Sequence, residues 1–479
     1  MKTICFWVFG ILLAVMAAAQ TSLPKSSIAD FVEREMAEAA VPGLSYSLVE
    51  DGQVRTGQAG VKQLGSSEPV APETGFVIGS VSKGLTALGV VQLSEAGVID
   101  LDASIGDYLE VFDGNPTGAA VTVRQLLSHT SGYSTYQGNL TQDDFATDER
   151  ALERRAKAIG AMPPAHKPGT VWGYSNANYA LAGRLIEVMS GQTYSNYMKT
   201  RVFQPAGMVN TFTYTRFDDP RISAAHEPWL ISRRIIAQKK FGQGSVPQGG
   251  IVSTAGDLAL YLALMMNGED DLISAQSKAM MMTPASKASP EYGLGWFIER
   301  EDGYTLVTHE GVSPGHEALV AMLPVDKKGA AILVNSGSGT GFGETGYLRR
   351  GFVARALGLD YDKSGSGWGR KGVYLFFMIA PILFLIAMVW AVVKRDTIRA
   401  KTGLMRHVSL WLPVVTTGAL AIVAFVIIPN AAGAPLNAVR VFQPDFGLGL
   451  ITTGLTGIVW AVLRLILAYS GQSGKTAAE

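Results

Sequence analysis

A serine and a lysine stand three residues apart in the segment FVIGSVSKGLTALGVVQL, where Ser80 and Lys83 follow a glycine at the start of a predicted helix. Residues three apart lie on one face of a helix, so the lysine amine can reach the serine hydroxyl. The apolar surroundings favour a lowered amine pKa, and a neutral amine can take the proton that a serine nucleophile must lose. The pair therefore predicts acyl transfer on Ser80, with the helix N-terminus suited to a developing oxyanion.

The Ser-x-x-Lys spacing is a weak signal by itself. It occurs again at Ser22 and Lys25, where Pro24 interrupts any helix, and we interpret that copy as chance. For the first copy, the alternative is a helix-capping serine beside a solvated lysine. The choice between these interpretations depends on the other motifs of the chain.

A second group of polar residues, Tyr174, Ser175 and Asn176, follows a Pro-Gly turn and precedes an amphipathic helix. A phenol can relay a proton, and an asparagine side chain can bind a substrate carbonyl. The same tripeptide recurs at Tyr194, but there the tyrosine is expected to pack at the start of a helix. The first copy occupies a loop position from which side chains can enter a cleft, so Tyr174 and Asn176 are the candidates.

A third group, His309, Glu310 and Gly311, is expected to end a strand. Gly311 allows a ligand to approach an edge strand closely, and the N–H of Val312 can point into the cleft. His309 is a candidate for binding a substrate carboxylate or assisting proton transfer. No HExxH spacing occurs in the sequence, so a metal site is not expected. No cofactor is predicted either.

These motifs, in this order, resemble the serine β-lactamase and penicillin-binding superfamily, above all the class C branch with its D,D-peptidase and esterase relatives. The resemblance covers about Ile28 to Leu357. Further family-like runs are LLSHTSGY (Leu126–Tyr133), PGTVWGYSN (Pro168–Asn176), QPAGM (Gln204–Met208) and GGIVSTAGDLALY (Gly249–Tyr261).

The resemblance implies a role for each candidate. Ser80 attacks an acyl carbonyl, Lys83 and Tyr174 share the general-base and general-acid work, and Asn176 orients the substrate amide. The backbone N–H groups of Ser80 and Val312 form the oxyanion hole.

His309 stands where the lactamases carry the lysine of Lys-Thr-Gly, which resembles the D-amino-acid peptidase and esterase branches more than true lactamases. Three other conspicuous residues are expected to be structural. His129 is satisfied by backbone groups, Trp172 belongs to the core or a cleft wall, and Asp257 caps a helix.

The N-terminus, residues 1–19, has the pattern of a secretory signal peptide, with Lys2, an apolar run and three alanines. The alternative is an uncleaved anchor helix. Cys5, the only cysteine, lies within this segment, so the mature chain is expected to lack disulfides, zinc thiolate sites and a cysteine nucleophile.

The C-terminal region contains three apolar runs, at about 373–393, 408–428 and 447–469, each long enough to cross a bilayer. A Gly/Ser-rich linker, 359–372, precedes them, and Arg464 is expected to reach the membrane interface. The basic loop 394–407 favours a cytoplasmic location. The hydrolase domain, 20–358, is then periplasmic or extracellular, and the tail 470–479 is cytoplasmic.

Strand patterns at both ends of the hydrolase region, with helical patterns between them, predict the fold class. We expect an α/β (α+β) protein with an antiparallel sheet, flanking helices and an all-helical insertion, followed by three transmembrane helices. The net charge is zero, with 40 basic and 40 acidic residues, so no nucleic-acid partner is expected.

The predicted function is a membrane-anchored serine hydrolase that cleaves an ester or amide through an acyl-enzyme. The substrate would be a small peptide-like, ester or lactam compound. A true β-lactamase and a non-catalytic penicillin or muropeptide sensor remain as alternatives. The sequence predicts no particular protein partner.

Overall fold

The computed structural model describes residues 27–141, 144–214, 216, 218–236, 242–301, 303–361 and 367–470. The predicted signal peptide and the Ser22 copy of the motif lie outside the described residues. All but the first residue of the predicted tail also lies outside them.

The strands are β1 (Gly43–Glu50), β2 (Gln53–Gly60), β3 (Phe76–Val77), β4 (Phe212–Thr213), β5 (His226–Trp229), β6 (Ser232–Ile235), β7 (Ile251–Ser253), β8 (Phe297–Glu301), β9 (Tyr304–Ser313), β10 (His316–Leu323) and β11 (Lys328–Val334). The helices before the membrane region are α1 (Ile28–Glu38), α2 (Ser82–Glu95), α3 (Pro116–Ala119), α4 (Val123–Leu127), α5 (Thr135–Asn139), α6 (Ala151–Gly160), α7 (Asn176–Ser190), α8 (Tyr194–Tyr197), α9 (Val246–Gly249), α10 (Ala255–Met266), α11 (Ala275–Met281) and α12 (Gly346–Leu357). The later helices are α13 (Trp368–Val393), α14 (Arg395–Arg399), α15 (Gly403–Ile422), α16 (Ile428–Ala431), α17 (Leu436–Phe442) and α18 (Pro444–Tyr469).

Six strands form one antiparallel sheet in the order β2-β1-β11-β10-β9-β8, so both ends of the hydrolase region contribute to it. Asp51 and Gly52 both have positive φ, as the tight turn between β1 and β2 requires. The fold class predicted from the sequence is therefore confirmed. The smaller sheets, β3-β7-β4 and β5-β6, were not predicted because their strands are short.

The helices α1 and α12 cover one face of the large sheet, and their apolar side chains pack with those of β1, β10 and β11. On the other face, α10 packs against β1, β2 and β11, while α2 belongs to the same large core as the helical insertion. Almost every side chain from Ser82 to Leu93 in α2 is buried. A helix that is apolar all round is stable only inside a core, and its buried position fixes Lys83 in the interior.

Within the described residues, three helices are long and apolar enough to cross a membrane: Trp368–Val393, Gly403–Ala431 and Pro444–Tyr469. They contain the three predicted spans. The first of these helices begins at Trp368, inside the predicted linker. Residues 362–366 of that linker lie outside the described part of the chain. Arg464 is buried, and its guanidinium donates to Ser409 on α15, at 2.8 and 2.7 Å. Its position at the membrane interface stays a prediction.

The part of the chain that is predicted to be the hydrolase domain contacts one end of this three-helix bundle. Arg370, near the start of α13, pairs with Glu344, and Asp445, at the start of α18, accepts from Leu230 N. At the opposite end, Arg399 of the basic loop donates to Leu467 O near the end of α18. The hydrolase domain and the basic loop are thus separated by the length of the apolar helices.

Candidate active site

Ser80 lies in a 3-10 turn, Gly79–Val81, which joins β3 to α2. The sequence predicted that Ser80 lies at the start of the helix. The α-helix begins instead at Ser82, so Ser80 lies just before it. Gly79 has φ +52, a conformation that glycine adopts at little cost. The turn leaves the Ser80 side chain partly exposed beside the buried first turn of α2.

Lys83 is fully buried, and its Nζ has three oxygen neighbours: Ser80 Oγ at 2.9 Å, Asn176 Oδ1 at 2.8 Å and Gln248 O at 2.8 Å. Burial lowers the pKa of this amine well below its ordinary value, and the positive charge of Arg155 lowers it further. Two of the three neighbours can only accept hydrogen bonds. A neutral amine uses its two hydrogens on them and directs its lone pair at the Ser80 hydroxyl.

Tyr174 lies two residues before α7, and the Ser80 side chain is close enough to its hydroxyl to affect the pKa of the phenol. Lys83 Nζ is 4.9 Å from the centre of the Tyr174 ring. Burial raises the pKa of this phenol far above its ordinary value, and the neighbouring Ser80 side chain acts in the other direction. Tyr174 is therefore a proton-bearing phenol, and Lys83 is the stronger candidate for the base.

Asn176 is the first residue of α7. Its Oδ1 accepts from Lys83, and its Nδ2 donates to Asn139 Oδ1 at 2.9 Å. The amide is consequently held with its oxygen towards the amine. The second Nδ2 hydrogen remains for a substrate carbonyl.

Gly311 and Val312 lie on β9, where β8 no longer covers it, because the β8 pairing ends at Thr308. This part of β9, which has no β8 partner, packs directly on the turn Gly79–Val81, which we call the nucleophile turn. A methyl group on Gly311 would lie 1.9 Å from Ile78 O, and one on Gly79 would lie 2.5 Å from Val312 N. Only glycines permit this approach, which places the backbone of Gly311 and Val312 against the turn that carries Ser80.

His309 is buried within β9 and does not end the strand, which continues to Ser313 because Gly311 pairs with Ala318. Its Nδ1–H donates to the Glu310 carbonyl at 2.7 Å, and its Nε2 accepts from the Tyr292 hydroxyl at 3.1 Å. Burial, with a smaller effect from Lys83, lowers the pKa of this imidazole to about 3. The ring is neutral, and it presents no cation to the cleft.

Other residues singled out in the sequence have structural positions. His129 Nδ1 accepts from Ser175 N at 3.1 Å and from Asn178 Nδ2 at 2.9 Å, so it holds the loop that carries Tyr174. Trp172 forms part of the aromatic wall around Tyr174. A cleft wall was one of the two positions expected for it.

The cap prediction for Asp257 is wrong. Thr254 caps α10 by accepting from Asp257 N at 3.1 Å. The Asp257 carboxylate accepts instead from Asn210 N and the Thr211 hydroxyl, both at 2.8 Å. Tyr194 is buried as expected, and its hydroxyl lies 2.6 Å from that of Thr86.

Several groups near the site were not predicted, among them the Gln248 carbonyl, Asn139 and Tyr292. A backbone carbonyl leaves no trace in residue type, and Asn139 reaches Asn176 only because α5 packs on α7. The run YGLGW, with its two glycines beside aromatic residues, was the one available signal for Tyr292.

Comparison with known proteins places this geometry in a family. The family model described as Beta-lactamase matches residues 28–354. Protein flp of Staphylococcus aureus (strain COL) is 24% identical over 326 residues, which are 66% of this chain and 64% of that protein. Penicillin-binding protein 4 of Amycolatopsis lactamdurans is 29% identical over 325 residues, 63% of this chain and 83% of that protein.

Among solved structures, the octameric penicillin-binding protein homologue from Pyrococcus abyssi superimposes with a TM-score of 0.59 at 27% identity. The match covers 70% of this chain and 77% of that one. The chain thus matches less than two thirds of the length of the Staphylococcus protein. Because the family model matches well over half of the residues, this chain belongs to the beta-lactamase family.

Proposed function

We propose that this protein is a membrane-anchored serine hydrolase that cleaves an ester or amide, of the peptidase or esterase type, through an acyl-enzyme on Ser80. The observation that carries the proposal is the 2.9 Å contact between Lys83 Nζ and Ser80 Oγ. The other two partners of the amine accept hydrogen bonds, so its lone pair is directed at the serine.

In the first step, Ser80 Oγ attacks the substrate carbonyl carbon while its proton passes to Lys83 Nζ. The N–H groups of Ser80 and Val312 stabilise the oxyanion of the tetrahedral intermediate. The Tyr174 phenol gives its proton to the leaving group as the bond to the acyl carbon breaks, and the Lys83 ammonium restores it. Water then attacks the acyl-enzyme with the same groups acting in reverse, which returns the proton to Ser80.

The neutral state of His309 favours an ester or amide without a carboxylate at this position over a lactam antibiotic. Such antibiotics carry a carboxylate, and a buried imidazole with a pKa of about 3 provides no positive charge for it. The likeness to Penicillin-binding protein 4 supports a second candidate function, in which a lactam acylates Ser80.

The arrangement of the membrane helices supports anchoring with the hydrolase domain outside the cytoplasm. The basic loop carries Lys394, Arg395, Arg399, Lys401 and Arg406, and it lies at the end of the bundle away from the hydrolase domain. Positive loops favour the cytoplasmic side.

Intact-mass spectrometry of the full-length protein in detergent tests the proposal. We expect mass additions from p-nitrophenyl esters or D-Ala-D-Ala depsipeptides, and their loss in Ser80→Ala. Ser195→Ala, in the second Tyr-Ser-Asn copy, is the matched control and should acylate like the wild type. Adducts from penicillins alone would favour the second candidate, and the absence of any adduct would favour a non-catalytic sensor.

A further inference from the structure

The connection between the second and third apolar spans packs against the hydrolase domain beside the candidate site. Asn139 Nδ2, at the end of α5, donates to the Gly433 carbonyl at 2.8 Å. Gly433 has φ +61, and a methyl group on it would lie 2.9 Å from Thr135 Cγ2. The membrane region therefore contacts a helix that also contacts Asn176.

Further polar contacts hold the same end of the bundle to the hydrolase domain. The Asp445 carboxylate is buried, and it accepts from Leu230 N at 2.7 Å and from the Tyr374 hydroxyl at 2.6 Å. Gln443 Oε1 accepts from Thr340 N at 3.0 Å. These bonds fix the start of α18, which follows the connection that carries Gly433. The position of Gly433 therefore does not depend on its bond with Asn139 alone.

The hydrogen bonds from Gly433 to Lys83 have a fixed direction. The Gly433 carbonyl can only accept, so the Asn139 side chain must present its NH₂ group to the membrane loop and its oxygen to Asn176. Asn176 in turn presents its NH₂ group to Asn139 and its oxygen to Lys83. A carbonyl of the membrane region thus determines which atom faces the amine.

The alternative orientation of Asn176 would be harmful to the amine. A flipped amide would direct NH₂ at Lys83 Nζ and compete with the Ser80 hydroxyl for its lone pair. We propose that Asn139 is a positioning residue, and that the Gly433 carbonyl of the membrane region, acting through it, keeps the Asn176 oxygen on Lys83. This inference rests on the proposed acyl transfer at Ser80, and it makes the membrane helices part of the catalytic assembly as well as an anchor.

The charges around Lys83 make the relay measurable through pH. The ionisable groups facing the amine are the phenols of Tyr174 and Tyr179, the imidazoles of His129 and His309, and the guanidinium of Arg155. Among the described residues, no carboxylate contributes to the shift of its pKa. A carboxylate introduced at position 139 would be the first.

Two substitutions at Asn139 should move the pH dependence of acylation in opposite directions. Asn139→Ala frees Asn176 to flip, which removes an acceptor from the ammonium form of Lys83. The maximal acylation rate should fall about tenfold, and the acid limb should move to lower pH by about one unit. Asn139→Asp keeps the acceptor for Asn176 and adds a negative charge, so the acid limb should move to higher pH.

The experiment uses full-length protein in detergent and follows acylation by a p-nitrophenyl ester from pH 4 to 10. This range of about six units is wide enough to show both shifts of the acid limb. Asn430→Ala, at the end of the second apolar span, is the matched control: the Asn430 side chain donates to Val426 O, the substitution keeps the backbone bond from Gly433 N to the carbonyl of residue 430, and the variant should keep the wild-type profile. Gly433→Ala, which forces the loop away from Thr135, should repeat the effect of Asn139→Ala. Wild-type profiles in both Asn139 variants, or equal losses without opposite shifts, would overturn the inference.

The ¹³Cε resonance of Lys83, assigned with Lys83→Arg, separates this inference from the proposed function. Its titration should show the same opposite shifts whether or not an acyl-enzyme forms. An inert wild-type protein with shifting Lys83 titration would refute the proposed function alone. An active wild-type protein whose Lys83 titration is unchanged in both variants would refute the relay alone.

Discussion

Replacing Gly311 by alanine should separate the nucleophile turn from the strand edge that faces it. The added Cβ would lie 1.9 Å from Ile78 O and 3.2 Å from Ser80 N. Real Cβ contacts below 3.0 Å are essentially never seen, so the strand and the turn must part by at least 1.1 Å, which is 3.0 Å minus 1.9 Å. Both neighbouring atoms belong to the backbone, so no side-chain rotation relieves the overlap.

The expected cost follows from the geometry of an oxyanion site. A donor in such a site acts over a hydrogen-bond distance of about 2.7–3.1 Å, and a displacement of this size removes one of the two N–H groups. Loss of one donor lowers the acylation rate by roughly 10²–10³, about 2.7–4 kcal/mol. The overpacking should also lower the free energy of unfolding by about 1–3 kcal/mol.

The assay compares acylation of Gly311→Ala and wild-type protein by a p-nitrophenyl ester, with thermal unfolding measured in parallel. Gly256→Ala is the matched control, because the nearest atoms to its added Cβ are 3.8 Å away, and it should acylate normally. A folded Gly311→Ala protein that acylates within about threefold of the wild type would refute the assignment of the strand edge as an oxyanion donor.

Three further predictions concern the phenol, acid stability and topology. Tyr174→Phe should slow acylation by about 10² or more, whereas Tyr194→Phe should lose about 1 kcal/mol of stability and remain active; the reverse pattern would show that the wrong Tyr-Ser-Asn copy was chosen. Because burial lowers the pKa of His309 to about 3, the unfolded chain binds more protons below about pH 6.5. The free energy of unfolding should therefore fall as the pH drops from about 6.5 to about 3, and it should fall less steeply in His309→Gln. Thermal unfolding measured against pH would contradict this if the wild type and the variant showed equal slopes. A membrane-impermeant maleimide should label Thr56→Cys in intact cells or spheroplasts and Thr397→Cys only after lysis, and the opposite labelling would reverse the proposed topology.

The sequence by itself determined which residues could do chemistry, because a nucleophile, an amine and a phenol are visible as residue types at short spacings. Ser80 and Lys83 are three apart, and the turn that holds them needs little beyond Gly79 and an apolar helix. The hairpin β1–β2 and the three apolar spans were likewise predictable, since turn residues and unbroken hydrophobicity act locally.

Tertiary structure alone decided how those residues are arranged and in which protonation state they exist. The lowered pKa of Lys83 depends on its complete burial and on Arg155, which is distant in the sequence. The neutral state of His309 depends on burial within β9, and no residue type announces it. The bond from Asn139 to Gly433 joins residues 294 positions apart. Such contacts exist only when helices and strands pack together, so local sequence patterns carry no signal for them.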